Sequence, residues 1–231
     1  MGLRELCAHS PASPDGGWDR LVDHLTRVAE LAAAFANRFG KCELGYLIGC
    51  CHDLGKANPE FQAYLQACHE KKPHLKIPHA IWGSAFVYRL IRPSEQAWKT
   101  ISIPIHGHHA GLPHGGELSQ HLFSFLARTP AVVNVIQPLF SAVIREKRIP
   151  EVSERGTRLE FLIRMLFSAL VDADYLDTEH HFQPTKAEQR IATGDFARLW
   201  DDFERAQNTL AKHASIIGGR VNEVRADVYS T

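Results

Sequence analysis

The sequence has no excess of either charge: 26 lysines and arginines face 26 aspartates and glutamates. No global field therefore advertises a nucleic-acid partner, and any such partner must be held locally. No run approaches the ~18 apolar residues of a membrane span, and the N-terminal MGLRELCAHSPASPDGG lacks the apolar core of an export signal. No CxxC pair occurs among Cys7, Cys42, Cys50, Cys51 and Cys68, an odd set that fits reduced thiols in a cytoplasmic protein. Alternating strand patterns of useful length and internal repeats are also missing, which points to an all-α fold. What the chain has is a hydrophobic content of 45% against 23% charged residues, ordinary for one globular domain with a substantial core, and an unusual fourteen histidines.

Helical spacing of Leu21, Leu25, Val28, Ala32, Phe35 and Phe39 predicts a first helix that ends at Gly40 and carries His24 in its opening turns. A second is expected over 43–54, stopped by Gly55, with His52 and Asp53 at its buried end. A third should begin at Asn58-Pro59, an N-cap followed by proline at the first helical position. The polar stretch 69–78 reads as a loop and a helix is expected to begin at His79. PIHGHHAGLPHGG, at 104–116, reads as a second loop, and loops of such composition tend to carry function. Helices follow near 118–128, 131–147 and 157–178. A last one is expected from Thr185 to about Lys212, with Thr185 and Glu188 spaced as a capping box. The tail after Gly218 reads as a hinge and the start of a helix marked by Val221, Val224 and Val228, ending in mid-element.

A buried carboxylate is costly unless it meets a cation. Asp174 shares a helical stripe with Ile163, Phe167, Leu170 and Val171 and is expected to face inward, whereas its competitor Asp172 lies about 200° round the helix. Asp177 is expected to support by hydrogen bonding. His52 offers a nitrogen and Asp53 two oxygens, so Asp53 can bridge two ions where histidine cannot. The expected ligands divide into His24, His52, Asp53 and Asp174 for one ion and Asp53, His79, His108 and His109 for the other. Lys56, just beyond the pair, is a compact cation suited to a phosphate oxygen. Imidazole-rich sites with few carboxylates suit manganese, iron, cobalt or nickel better than magnesium. The remaining histidines, His9 among them, read as surface or loop residues. Basic runs at Lys71, Lys72 and Lys76 and from Arg145 to Arg158 read as solvated charge that could also guide a strand.

Four blocks resemble the HD superfamily of metal-dependent phosphohydrolases and, more narrowly, the HD nuclease domain of the CRISPR-associated protein Cas3. They are AHS at 8–10, CCHDLGKANPEFQAYL at 50–65, HGHHAGLP at 106–113 and LFSALVDADYLDTE at 166–179. The resemblance implies a compact multi-helix domain over residues 1–217, with the metal centre in its helical core. Residues 218–231 would lead into a helicase region not present in this chain. It also implies a nuclease for single-stranded DNA, catalytic Asp53 and Lys56, the seven metal ligands above, and partnership with a crRNA-guided surveillance complex and a helicase, in cis or in trans. The competing expectations are an HD phosphohydrolase of nucleotides or cyclic nucleotides, and a catalytically silent docking module.

Overall fold

A computed structural model of the chain describes residues 5–91, 94–144, 150–190, 196–217, 220–221, 223–224 and 227. Its elements are β1 (Cys7–His9), β2 (Asp19–Arg20), α1 (Leu21–Asn37), α2 (Cys42–Cys51), a 3-10 turn (Leu54–Ala57), α3 (Pro59–His69), α4 (Ala80–Ile91), α5 (Glu95–Gly107), α6 (Gly115–Arg128), α7 (Val132–Val143), α8 (Gly156–Phe182), α9 (Pro184–Gln189) and α10 (Phe196–Ile217). The all-α expectation holds: among the described residues the only sheet is the short antiparallel pair, Cys7 opposite Arg20 and His9 opposite Asp19. The chain divides into two compact units, Met1–Ala187 and Glu188–Thr231, and the packing described below is that of the first.

The apolar stripe of α1, led by Leu21, Leu25, Val28, Ala29, Ala32 and Ala36, is fully buried and packs along α2 and α8, while α4 packs on α5 and α5 on α8. Leu118 and Leu122 of α6, Ile136 and Leu139 of α7 and Leu166 and Leu170 of α8 complete the core. Each such side chain contributes about 1.5–3 kcal/mol on leaving water, so the helices are held by this shared face rather than by helix propensity alone. Two glycines set close approaches. A Cβ on Gly55 would lie 2.1 Å from the His79 carbonyl oxygen, and one on Gly83 would lie 2.2 Å from that of Cys51. Both neighbours are backbone and cannot swing aside, so only glycine lets the 3-10 turn and α4 close on the end of α2.

Several boundaries differ from expectation. Helix α2 ends at Cys51, so His52 is its C-cap and Asp53 lies beyond it, at the entry to the 3-10 turn. The stretch expected as loop from Pro104 is helical as far as Gly107, because Ala97, Trp98, Ile101 and Ile105 bury a stripe whose packing outweighs the proline. Ser94 starts α5, its side chain accepting the Ala97 N–H. Asn58 caps α3 by accepting the Glu60 N–H, with Pro59 at the first position, as expected. Helix α7 stops at Val143, short of 147. The final helix is two: α9 begins at Pro184, one residue before Thr185, and α10 begins at Phe196. Arg145, Lys147, Arg148, Gly218 and Val228 lie outside the described residues.

Candidate metal centre

Every expected site residue except His109 comes from the core-facing side of a helix or from the residue just past a helix end. His24 stands on α1 and is fully buried; Asp174 stands on α8 with its side chain 16% exposed. His52 and His108 cap the C-terminal ends of α2 and α5. His79 immediately precedes α4, beside the Gly55 turn, and His109 is an exposed residue of the following loop.

These residues gather into two sets around one carboxylate. His24, His52, Asp53 and Asp174 form the first, and Asp53, His79, His108 and His109 the second; within each set the donor atoms lie within 4.8 Å of one another. Asp53 turns its oxygens different ways. Its Oδ2 is 3.4 Å from His24 Nε2 and 3.5 Å from His52 Nε2, while its Oδ1 is 3.0 Å from His79 Nε2 and 3.4 Å from His108 Nε2. Asp174 Oδ1 lies 3.6 Å from both His24 Nε2 and His52 Nε2. Asp172 is exposed and belongs to neither set.

The outer ring nitrogens settle which lone pairs face inward. His52 Nδ1 donates to the Gly49 carbonyl at 2.8 Å, His108 Nδ1 to the Ile105 carbonyl at 2.6 Å, and His24 Nδ1 to Asp177 Oδ2 at 2.7 Å. Carbonyl and carboxylate oxygens only accept, so each Nδ1 carries a proton and each ring, once neutral, presents its Nε2 lone pair to the centre. All three Nε2 atoms are buried without a hydrogen-bond partner, while the Asp53 oxygens are met by Lys56 Nζ at 2.6 Å and His79 Nε2 at 3.0 Å. Orphaned buried groups of this kind are costly. The 3.4–3.6 Å spacings are too long for hydrogen bonds and approach the separation of neighbouring donors around one ion held at about 2.1 Å. The residues therefore fit divalent cations, with each ring already anchored by an outer partner as metal-bound histidines usually are.

Electrostatics follow the same division. Burial would raise the Asp53 carboxyl, but Lys56, His52 and His79 around it hold it well below the usual carboxylate range. Asp174 is likewise opposed by burial and held low, chiefly by His52. Burial disfavours a charged His24, yet its bond to Asp177 and the nearness of Asp53 win and lift it to about 9 in the metal-free protein. His108 is raised by Asp53 against burial. Burial with His108 alongside depresses His109 to about 4, and burial lowers His79 as well, although Asp53 opposes it. His79 and His109 meet through their Nε2 atoms at 3.0 Å.

Lys56 is not the solvated lysine that its position after a helix stop allows. It is buried, its Nζ 2.6 Å from Asp53 Oδ2 and 5.9 Å from the Phe61 ring centroid. In this arrangement it neutralises Asp53 and must release it to reach a phosphate.

Asp177 supports His24 by hydrogen bonding, as expected, but the network around it was not legible. Asp177, more deeply buried than Asp174, accepts from His24 and from Arg27, whose Nε is 2.5 Å from Asp177 Oδ1 and whose Nη2 is 2.8 Å from Asp19 Oδ1. Asp19 Oδ2 is 3.1 Å from His9 Nδ1, so His9 is part of this wall and not a surface residue. Its ring meets His24 edge-on at 4.8 Å. His9, Asp19 and His24 also lie within ligand distance of one another, but the Arg27 cation already occupies the Asp19 and Asp177 carboxylates, which makes this a hydrogen-bonded support. Helical spacing alone places Asp177 with Leu166, Leu170 and Ala173; nothing local reveals Arg27 or Asp19. His106 and His114, near the HH pair in sequence, belong to neither set: His106 faces His121 at 6.2 Å and His114 caps α6. Lys71, Lys72 and Lys76 are exposed, and so are Arg155 and Arg158.

The family model described as Cas3, HD domain, matches residues 8–218, more than nine-tenths of the chain. The search of the curated proteins found no match. No described helix is long and apolar enough to cross a membrane.

Proposed function

The chain belongs to the Cas3 HD-domain family, a family of HD-type metal-dependent hydrolases, and from that premise we propose that it cleaves phosphodiester bonds of single-stranded DNA in CRISPR interference. The observation that carries the reading is Asp53, whose two oxygens each face a separate set of imidazoles. His24, His52, Asp53 and Asp174 would hold one ion, and Asp53, His79, His108 and His109 a second. When bound, divalent ions supply Lewis acidity to a phosphoryl oxygen and lower the pKa of water so that it can attack at neutral pH. Lys56, on leaving Asp53, would neutralise charge on the phosphate. Asp53 is in this sense both the shared ligand and the residue on which catalysis depends. No side chain is required as a covalent nucleophile.

The donor set favours manganese, iron, cobalt or nickel over magnesium. A crRNA-guided surveillance complex of the Cascade type would expose the strand, and a helicase, in cis or in trans, would feed it. The cytoplasm is the compartment this reading requires.

The test is circular single-stranded DNA with metal-stripped protein, each divalent ion added back in turn and Asp53→Ala as control. Nicking followed by degradation with manganese, nickel, cobalt or iron, abolished in the variant, is the expected result. Turnover of mononucleotides or cyclic nucleotides with intact circles would overturn it in favour of a small-molecule phosphohydrolase. Binding to the surveillance complex with no Asp53-dependent cleavage under any ion would instead leave a docking module.

A further inference from the structure

A cleft of about 490 Å³, a size typical of small-ligand sites, has walls that include Asn58, Pro78, Trp82, His106, Phe125 and Arg128, and although none of these is a ligand, three lie within two residues of the centre along the chain. Its position follows from chain neighbours. Pro78 precedes His79, Asn58 lies two residues past Lys56, and His106 lies two residues before His108. Three walls of the cleft are therefore continuous with three residues that surround Asp53.

The lining has a particular chemistry. Trp82 and Phe125 are half-buried and meet edge to face, with centroids 5.3 Å apart and planes at 66°. The corner between them offers an aromatic face and an aromatic edge to a flat ring. Arg128 is exposed at the rim, and Glu60 is the one carboxylate among the lining residues.

Resting on the proposed single-strand nuclease reading, we infer that this cleft receives an unpaired nucleobase next to the scissile phosphate, stacked on the face of one ring of the Trp82–Phe125 pair and bordered by the other, with Arg128 meeting the neighbouring backbone phosphate. Aromatic side chains stack any base, whatever its identity, because every base has a π face. A base inside a duplex is already stacked on both sides and cannot enter, so the cleft selects single strands at the nucleotide that is cut. The specificity is for strandedness and not for sequence.

The experiment compares two diesters with the same leaving group: thymidine 5′-(p-nitrophenyl phosphate), which carries a base, and bis(p-nitrophenyl) phosphate, which carries none. Trp82→Leu keeps an apolar side chain and removes the stacking face; Phe125→Leu is the second variant, and manganese affinity reports whether each keeps its centre. The expected result is a loss of roughly 5- to 150-fold in kcat/KM for the thymidine ester, the range of base stacking, with turnover of the base-free ester and manganese affinity unchanged. Arg128→Gln should raise KM for single-stranded oligonucleotides while leaving both small esters alone. Equal effects on the two esters, or none from either aromatic variant while circles are still cut in an Asp53-dependent way, would overturn the inference and leave the nuclease reading standing. Absence of circle cleavage by the wild-type chain would overturn both.

Discussion

Loading the centre with a cation must expel a proton from His24. In the metal-free protein that imidazole sits at about 9, because Asp177 and Asp53 outweigh the burial that disfavours its charge, yet a ligand histidine has to be neutral. At pH 7 the proton is present in about 99 of 100 molecules, and displacing it weakens apparent affinity about 100-fold, or about 2.7 kcal/mol. Between pH 7 and 8.5 that penalty shrinks, so manganese affinity should rise about 25-fold from His24 alone, and His108, also raised, should steepen the rise. Isothermal titration calorimetry in buffers of different ionisation enthalpy reads both quantities, the affinity and the protons released. At least one proton per chain should appear at pH 7. Asp177→Asn should flatten the profile, because the carboxylate charge that holds the proton is gone and burial pushes the imidazole down. A manganese affinity flat across this window, with no proton release, would refute the assignment of His24 as an inward-facing ligand oriented by Asp177.

The same group predicts the stability of the chelated protein. His24 is raised on folding from 6.5 to about 9, so its contribution is fully present below 6.5 and lost as pH rises through 9. Thermal or denaturant unfolding of metal-free protein should show a loss of roughly 2.5 kcal/mol between those values, and manganese-loaded protein should not follow it. At pH 8.5, where the His24 proton competes little, Asp177→Asn should weaken manganese binding by roughly 10- to 100-fold, as removing an outer partner of a ligand histidine does, with Asp177→Glu partly restoring it. Lys56→Ala should cut turnover on the order of 100-fold while manganese binds at least as tightly, because the variant removes the cation that competes for Asp53 Oδ2; tighter binding with unchanged turnover would remove Lys56 from the chemistry. Gly55→Ala places a Cβ 2.1 Å from the His79 carbonyl, which should cost about 1–3 kcal/mol in stability and, by moving His79, lower occupancy of the second set in metal-content measurements.

The long-periodicity elements were legible from sequence. α1 and α8 repeat apolar residues over many turns, so the inward positions of His24 and Asp174 could be read before any coordinates. The Asn58-Pro59 start of α3 was equally local. Helix α5 was not, because Pro104 and Gly107 resemble loop residues and only the burial of Trp98, Ile101 and Ile105 overrides them. The wall behind His24 was hidden for a different reason. Arg27 meets Asp177 across 150 positions of chain, and ion pairs of that separation leave no periodic trace. On α8 the most buried carboxylate is Asp177, and Asp174 sits nearer the edge of the inward face, where it reaches His24 and His52.

His52 and His108 each terminate a helix, and each bonds the carbonyl three residues back. Two helix C-termini thus converge on Asp53, each bearing the partial negative charge, roughly half an electron, of an aligned peptide dipole. That backbone field adds to Asp53 and Asp174 in drawing positive charge to one point. In the metal-free protein the positive charge is supplied by Lys56 and by the proton on His24, so an arriving divalent ion replaces charges that the main chain already helps to hold.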